Sequence, residues 1–356
     1  MTALAGTGTG TGSTGTGRPA AGGAGPWPTG PAGRLVRREE VMGTVFTFDV
    51  RGLGDGSGAG AGVDLGAGAG TNPAAKTCGV TGKPASAPGA DDAAGAAGAG
   101  DRAGAAGAGA AGAGAAGAGA DGTGDWAGAA GADAAIDAAV AWLHWADRTF
   151  STYKPASEVN RFDRGELGAG DCCAETRHII ALCHRFHGLT DGYFDAWATG
   201  HFDPSGIVKG WAVQETSLLL ARAGFAHHLV DGGGDIVLSG CPGAGGRWKI
   251  GVKHPLQPNA YCASLSLDGG AVATSGTYER GHHVVNPRTG QGATALVAVT
   301  VTGPDLVHAD AYATAALAMG TEAPYWLSRL DGYESQVISA SGRGWWTPGF
   351  EHLSAG

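Results

Sequence analysis

Residues 308–320, HADAYATAALAMG, set an aspartate and a threonine four positions apart in an otherwise Ala/Leu-rich run. At helical spacing Asp310 and Thr314 share one face. A carboxylate and a hydroxyl on one side of an apolar helix suit a hard cation such as Mg²⁺, which takes oxygen ligands, keeps waters and accepts substrate phosphates. The competing reading is local: Asp310 caps the helix and Thr314 bonds back to the Asp310 carbonyl.

Three further stretches carry polar groups with chemical potential. In DPSGIVKG, Asp203 and Ser205 precede a helix that opens at Gly206 and bears Lys209 in its first turn. A lysine there opposes the macrodipole. A phosphate would offset it, because the free N–H groups of a helix start plus an ammonium form an anion site; a solvated lysine beside an ordinary cap is the other reading. VDGGGDIVLSG sets three glycines between apolar runs, giving either a tight hairpin or a close backbone approach to a ligand. ATSGTYERGHHVVNPRTG gathers Thr274, Ser275, Glu279, Arg280, His282, His283, Asn286 and Arg288. In a strand His282 and His283 point to opposite faces and cannot chelate one metal together; each is either a site group or a structural histidine. Residues 287–290 read as a plain turn, and His178, His184 and His187 as ordinary helix surface.

These groups need a scaffold. Residues 45–50 alternate as a strand does. Ile136, Val140, Leu143 and Phe150 fall near helical spacing; that helix is expected to break at Pro155, with Ser157 capping a short successor. Another helix ends near Gly188. After Gly206 comes a helix with Val208, Trp211, Ala212, Leu219 and Leu220 apolar and Gly224 as its C-cap. Strand candidates then dominate as far as ALVAVTVTG, followed by two helices and a hairpin around SGRG. Helices grouped before and after a run of hairpin strands predict an α+β fold rather than βαβ repeats.

The chain has 356 residues, 68 of them glycine, and residues 103–120 hold only alanine and glycine. Segments 1–33 and 51–132 bury little apolar side chain at high backbone entropy, so an N-terminal tail and a low-complexity insertion are both expected to be disordered. Removing them leaves roughly 240 residues, enough for one large core or two lobes; one catalytic domain over 34–50 plus 133–354 is expected. Net charge is −9, from 23 basic and 32 acidic side chains, and the absence of a Lys/Arg run argues against nucleic acid. No eighteen consecutive residues are apolar, which predicts no membrane span. No basic-then-apolar leader or early lipoprotein-type cysteine is visible, so a cytoplasmic location is expected. The six cysteines, Cys78, Cys172, Cys173, Cys183, Cys241 and Cys262, include no C-x-x-C pair, and free thiols are expected rather than a zinc site.

Taken in order, MGTVFTFDV, STYKPASEVNRFD, GYFDAW, DPSGIVKGWAV, VDGGGDIVLSG, ATSGTYER, HVVNPRTG and ADAYATAALAMG resemble the successive motifs of the FAD:protein FMN transferase family, the ApbE family. The resemblance covers residues 42–50 and 139–320, nearly all of the non-repetitive chain. It implies an α+β, T-fold-like architecture. It implies a reaction in which FAD, as substrate, is cut at its pyrophosphate, FMN is joined through a phosphoester to a Thr or Ser hydroxyl of an acceptor protein carrying a flavinylation motif, and AMP leaves. By the same resemblance Asp310, Thr314 and the carbonyl of Gly206 are the Mg²⁺ ligands. Met42, Tyr153, Phe194, Asp195, Ala196, Asp203, Lys209 and Val285 match flavin-nucleotide contacts, and Thr274, Ser275 and Gly276 line the same pocket. Tyr153 is suited to stack on a flat ring. His283 is the candidate catalytic base for the target hydroxyl, or polarises a phosphate.

The sequence departs from the family at several points. Lys209 stands where some members have an acidic residue, which keeps a polar contact there. Asn286 stands where the family's turn usually has aspartate; if that carboxylate orients the histidine or a water, activity falls, whereas if it only caps the turn Asn serves equally. The Gly/Ala insertion is not a family feature and is expected to loop out. Many members are exported lipoproteins, and no export signal is seen here. Water in place of the acceptor would make the protein an FAD pyrophosphatase, and loss of turnover would leave a non-catalytic FAD-binding protein, a reading that Asn286 alone favours.

Overall fold

The structure, a computed structural model, describes residues 33–53, 128–243, 246–277 and 284–353. Most of the expected tail and insertion therefore lie outside the described residues. The first hairpin joins β1 (Arg34–Val41) to β2 (Thr44–Arg51) through Met42 and Gly43, both with left-handed backbone (φ 55° and 69°). Phe46, Phe48 and Val50 are fully buried and Val45 is exposed, the period-2 pattern of a strand with one wet face. The alternation at 45–50 marks β2 in the sequence. β1, whose RREE run reads as polar, is a strand through its antiparallel pairing with β2, from Arg34↔Arg51 to Val41↔Thr44.

The helices α1 (Ala129–Phe150), α2 (Glu158–Asp163), α3 (Ala174–Leu189) and α4 (Ser205–Arg222) follow. Then come β3 (His228–Gly232), β4 (Ile236–Ser239), β5 (Trp248–Lys253), β6 (Tyr261–Leu267), β7 (Gly270–Gly276), β8 (Val285–Asn286), β9 (Gln291–Gly292) and β10 (Leu296–Gly303). The chain closes with α5 (Leu306–Met319), α6 (Ala323–Leu327), β11 (Glu334–Ser339), β12 (Gly344–Trp346) and α7 (Pro348–Leu353). Among the described residues, eight strands form one antiparallel sheet in the order β1-β2-β3-β4-β7-β10-β11-β12, with β5–β6 and β8–β9 as separate two-stranded ribbons. The fold is α+β, as the grouping of elements predicted.

Side-chain alternation assigns the two faces of the sheet. Val230, Val237, Ala271, Ala273, Val299 and Val301 face α1, α4 and α5 in the principal core. Ile236, Leu238 and Val272 face the other way, into a second core with Trp248, Ile250, Val252, Leu265, Leu267 and Phe350. The β5–β6 hairpin thus covers the back of the sheet and leaves the front to the helices.

Local signals held at several joints. Ser157 caps α2 by accepting the Asn160 N–H at 3.3 Å, and Gly224 (φ 91°) follows the end of α4. The glycine triplet is a tight hairpin, with Gly233 and Gly234 at φ 75° and 100° and the Gly234 N–H donated to Asp231 Oδ1 at 2.7 Å. The helix before Pro155 ends sooner than expected, at Phe150, where the Ser151 N–H still reaches the Asp147 carbonyl. α5 is capped by Asp305, whose Oδ1 accepts the His308 N–H at 2.9 Å. Asp310 lies a full turn inside that helix, so the capping reading of Asp310 does not hold. Cys172, Cys173, Cys183, Cys241 and Cys262 are free thiols; Cys78 lies outside the described residues. No helix among the described residues is long and apolar enough to cross a membrane.

One buried titratable group couples the fold to pH. His228 in β3 is fully buried, with Nδ1 2.7 Å from the Phe225 carbonyl and Nε2 2.7 Å from Ser217 Oγ. A carbonyl can only accept, so Nδ1 carries the proton and the serine hydroxyl donates to Nε2. Burial pushes the imidazole pKa down to about 4. The folded value lies below the unfolded one, so this contribution is complete above the unfolded pKa and is lost as pH falls through the window between them. Denaturant unfolding at pH 7 and pH 5 should show wild type losing about 1–2 kcal/mol more than His228→Gln over that range; equal losses would contradict the assignment.

Candidate functional site

The contact between α4 and α5 builds the polar centre of the front layer. Gly206, Gly210 and Gln214 recur every four residues on α4 and make one stripe. A Cβ on Gly206 would come within 3.0 Å of the Phe194 ring and 3.3 Å of Thr314 Cγ2. A Cβ on Gly210 would lie 2.8 Å from both Cβ and Oδ2 of Asp310 and 3.1 Å from the Leu306 carbonyl. Gln214 Oε1 accepts the Leu306 N–H at 3.0 Å, at the start of α5. Only glycine lets the two helices approach this closely.

The approach orients Asp310. It is 5% exposed, and its Oδ2 accepts the Gly210 N–H at 2.9 Å. In a regular helix that N–H would point at the carbonyl of Gly206, so the Asp310 carboxylate draws on the same donor as the Gly206 carbonyl. Thr314, one turn on, has its Oγ1 3.2 Å from Ser275 Oγ of β7. Asp310, Thr314, Ser275 and the Gly206 backbone form an oxygen-only set, suited to a hard cation. Among the described residues no three His, Cys, Asp or Glu side chains are grouped to hold a metal. A cation here would rely on one carboxylate and neutral oxygens, with water or substrate oxygens to complete it, as Mg²⁺ prefers.

This set lies in a cleft of ≈ 750 Å³. Its wall includes every described residue that the family resemblance assigned to the metal or flavin-nucleotide site: Met42 of the first hairpin, Tyr153 after α1, Phe194, Asp195 and Ala196 after α3, Asp203, Gly206 and Lys209 at the start of α4, Thr274, Ser275 and Gly276 of β7, Val285 of β8, and Asp310 and Thr314 of α5; Asn286 and Arg288 are not among the lining residues. Met42 and Thr314, at opposite ends of the domain's sequence, are brought to one surface. His283 lies outside the described residues, together with its neighbour His282. Tyr153 is 87% exposed, so its ring face is open to a planar ligand. Asp195 and Asp203 also hold their own turns, accepting the Trp197 N–H at 2.8 Å and the Ser205 N–H at 3.0 Å.

Several functional contacts were not legible in the sequence. Lys209 Nζ lies 2.7 Å from Asp235 Oδ2, and Asp235, 1% exposed, also accepts the Thr274 N–H through Oδ1 at 3.2 Å. The lysine's conflict with the α4 dipole is therefore met by a protein carboxylate. That pair ties α4 to β7 beneath the cleft and fixes where the ammonium stands. Asn286 takes part in the turn that follows it. Its Oδ1 accepts the Arg288 N–H at 2.9 Å and its carbonyl accepts the Gly290 N–H at 2.9 Å, so here it caps the turn, a task asparagine performs as well as aspartate. The turn itself is not plain: Arg288 reaches out of it to Tyr193 and Asp191. His184, though exposed, stacks on Trp197 at 5.0 Å between ring centroids, which braces the loop that carries Asp195. If the α4–α5 approach sets the position of Asp310, Gly210→Ala should destabilise the fold by about 1–3 kcal/mol in urea unfolding; an unchanged midpoint would show that the helices are not held this closely.

Comparison with known proteins bears on the family and the fold. The model of the ApbE family matches residues 198–336. The FAD:protein FMN transferase of Klebsiella pneumoniae is 31% identical over 167 residues, 43% of this chain and 48% of the relative. That of Salmonella typhimurium is 29% identical over 164 residues. The chain thus spans about half the length of these two curated relatives, 48% and 47%. The FAD:protein FMN transferase of Vibrio cholerae is 32% identical over 231 residues, 48% of this chain and 69% of the relative. Among solved structures, the ApbE protein of Thermotoga maritima superposes with a TM-score of 0.61 at 18% identity, covering 91% of this chain and 100% of that one. The flavinyl transferase ApbE of Pseudomonas stutzeri gives 0.60 at 19% identity, covering 92% and 100%; these two likenesses concern the fold. On the Vibrio alignment and the family model together, the chain belongs to the ApbE family, whose matched relatives are FAD:protein FMN transferases.

Proposed function

We propose that this chain transfers FMN from FAD to a Thr or Ser hydroxyl of an acceptor protein, with Mg²⁺ and with release of AMP. The observation that carries the reading is the single cleft in which the oxygen set of Asp310, Thr314 and Gly206 shares a wall with an exposed aromatic ring, a helix N-terminus and a lysine. Phosphoryl transfer asks a protein mainly for positioning and charge neutralisation, and these groups supply both. Mg²⁺ held by Asp310, Thr314 and the Gly206 carbonyl would neutralise charge on the diphosphate oxygens. Lys209 would face the same anion, with Asp235 holding the ammonium in place. Tyr153 would stack on a ring of the dinucleotide, and Met42 and Val285 would close on it. The partner is a protein with a flavinylation motif around a Ser or Thr, and the catalytic unit comprises residues 34–50 and 133–354.

His283 is proposed to take the proton of the target hydroxyl; the support is its place before the NPRTG turn. The turn-capping bond of Asn286 supports the catalytic reading over a binding-only one. Two substitutions test the assignment. Asp310→Asn keeps an acceptor for the Gly210 N–H and removes the charge. It should cut Mg²⁺-dependent AMP release by about 100-fold with the melting temperature little changed, and full turnover would remove Asp310 from the metal site. His283→Ala should leave FAD affinity intact and slow transfer at saturating FAD by about 100-fold or more; equal rates would take it out of the mechanism.

A further inference from the structure

The β8–β9 ribbon forms part of the cleft wall through Val285 and Pro287, yet each of its strands has only two residues. A two-stranded ribbon of that size does not hold itself in water, so something else must fix it. At its base, the Ala293 N–H donates to the Val284 carbonyl at 2.8 Å, and Ala293 is buried. At its tip, Arg288 leaves the turn that Asn286 caps and crosses to the loop after α3. Its guanidinium carbon lies 4.1 Å from the centroid of the Tyr193 ring, and its Nη2 donates to the Asp191 carbonyl at 3.0 Å. Asp191 has left-handed backbone, φ 51°, which orients that carbonyl. Tyr193 is itself buried and lines the cleft, and its hydroxyl donates to Glu322 Oε2, just beyond α5, at 2.9 Å.

Arg288, Tyr193 and Glu322 thus link three segments that meet around the cleft: the ribbon, the loop carrying Phe194 and Asp195, and the end of the helix carrying Asp310 and Thr314. We propose that this chain of contacts is a clasp that seats the ribbon as a nucleotide-binding wall, with Arg288 as a positioning residue that governs affinity for the flavin nucleotide and not the chemical step. A guanidinium over an aromatic face, also hydrogen-bonded to a carbonyl, holds both distance and angle. Lysine would keep the charge and lose the planar fork. The proposal rests on the flavin-nucleotide reading of the cleft, and its test separates the two.

The experiment is hydrogen–deuterium exchange on the full chain, followed by FAD kinetics with Mg²⁺, for wild type, Arg288→Ala, Arg288→Lys and Tyr193→Phe. Arg288 is exposed, so Arg288→Ala should fold and melt as wild type does. Its amides at 285–292 should exchange about tenfold faster, and its KM for FAD should rise about tenfold while kcat changes much less. Arg288→Lys should recover part of both effects, and Tyr193→Phe, which keeps the ring but loses the bond to Glu322, should fall between. Unchanged ribbon exchange in Arg288→Ala overturns the clasp whatever the ligand. Faster exchange with an unchanged KM overturns its role in binding. If wild type neither binds nor turns over FAD, the flavin reading fails and the proposed role of Arg288 in nucleotide binding fails with it, while the exchange data still decide whether the clasp exists.

Discussion

The close approach of α4 to α5 is the constraint on which the cleft depends. Two glycines four residues apart remove the side chains that would separate the helices, and Asp310 fills the space with a carboxylate that accepts the Gly210 N–H at 2.9 Å. A buried charge is costly unless it is compensated. Here a backbone donor from the neighbouring helix supplies part of that compensation, and the same contact aims the group into the cleft. The principal core packs α4 and α5 against the sheet, so the polar pair is fixed by a much larger apolar framework. Thr314 and Ser275 extend the oxygen set from the helix onto β7.

The same layer settles the other charges. Asp235 sits at the head of β4, nearly inaccessible, and holds Lys209 from below while taking the Thr274 N–H from the adjacent strand. An isolated lysine near a helix start is unfavourable; paired in this way it becomes a fixed positive group at the cleft. The loops supply what the rigid layer cannot, an exposed ring at Tyr153 and a ribbon wall at Val285. Functional groups on loops carried by a rigid scaffold are the common arrangement in binding clefts.

What the sequence revealed and what it hid follow from the range of the interactions. Helical spacing alone placed Asp310 and Thr314 on one face, and Ser157, Gly224 and the glycine triplet announced a cap, a helix end and a turn, because each depends on near neighbours. The sequence pointed to Asp310 as a possible cap only because the true cap, Asp305, lies five residues earlier and cannot be told from it by composition. β5 and β6 alternate just as the strands of the main sheet do, so their separation onto the back face could not be read locally. The Gly210–Asp310, Lys209–Asp235 and Arg288–Tyr193 contacts join segments distant in the chain, and no periodicity reports them. The i, i+4 glycine pair of α4 was the one available signal for the first of these.

The central claim is that the Asp310 cleft performs phosphoryl transfer from FAD to a protein. Its most direct test is to incubate the full chain with FAD, Mg²⁺ and an acceptor bearing a flavinylation motif, and to measure AMP and the intact mass of the acceptor together. The account predicts one FMN added to the acceptor per AMP released, with both lost on chelation of the metal by EDTA. AMP and free FMN without any gain in acceptor mass, or bound FAD with no AMP at all, would contradict it.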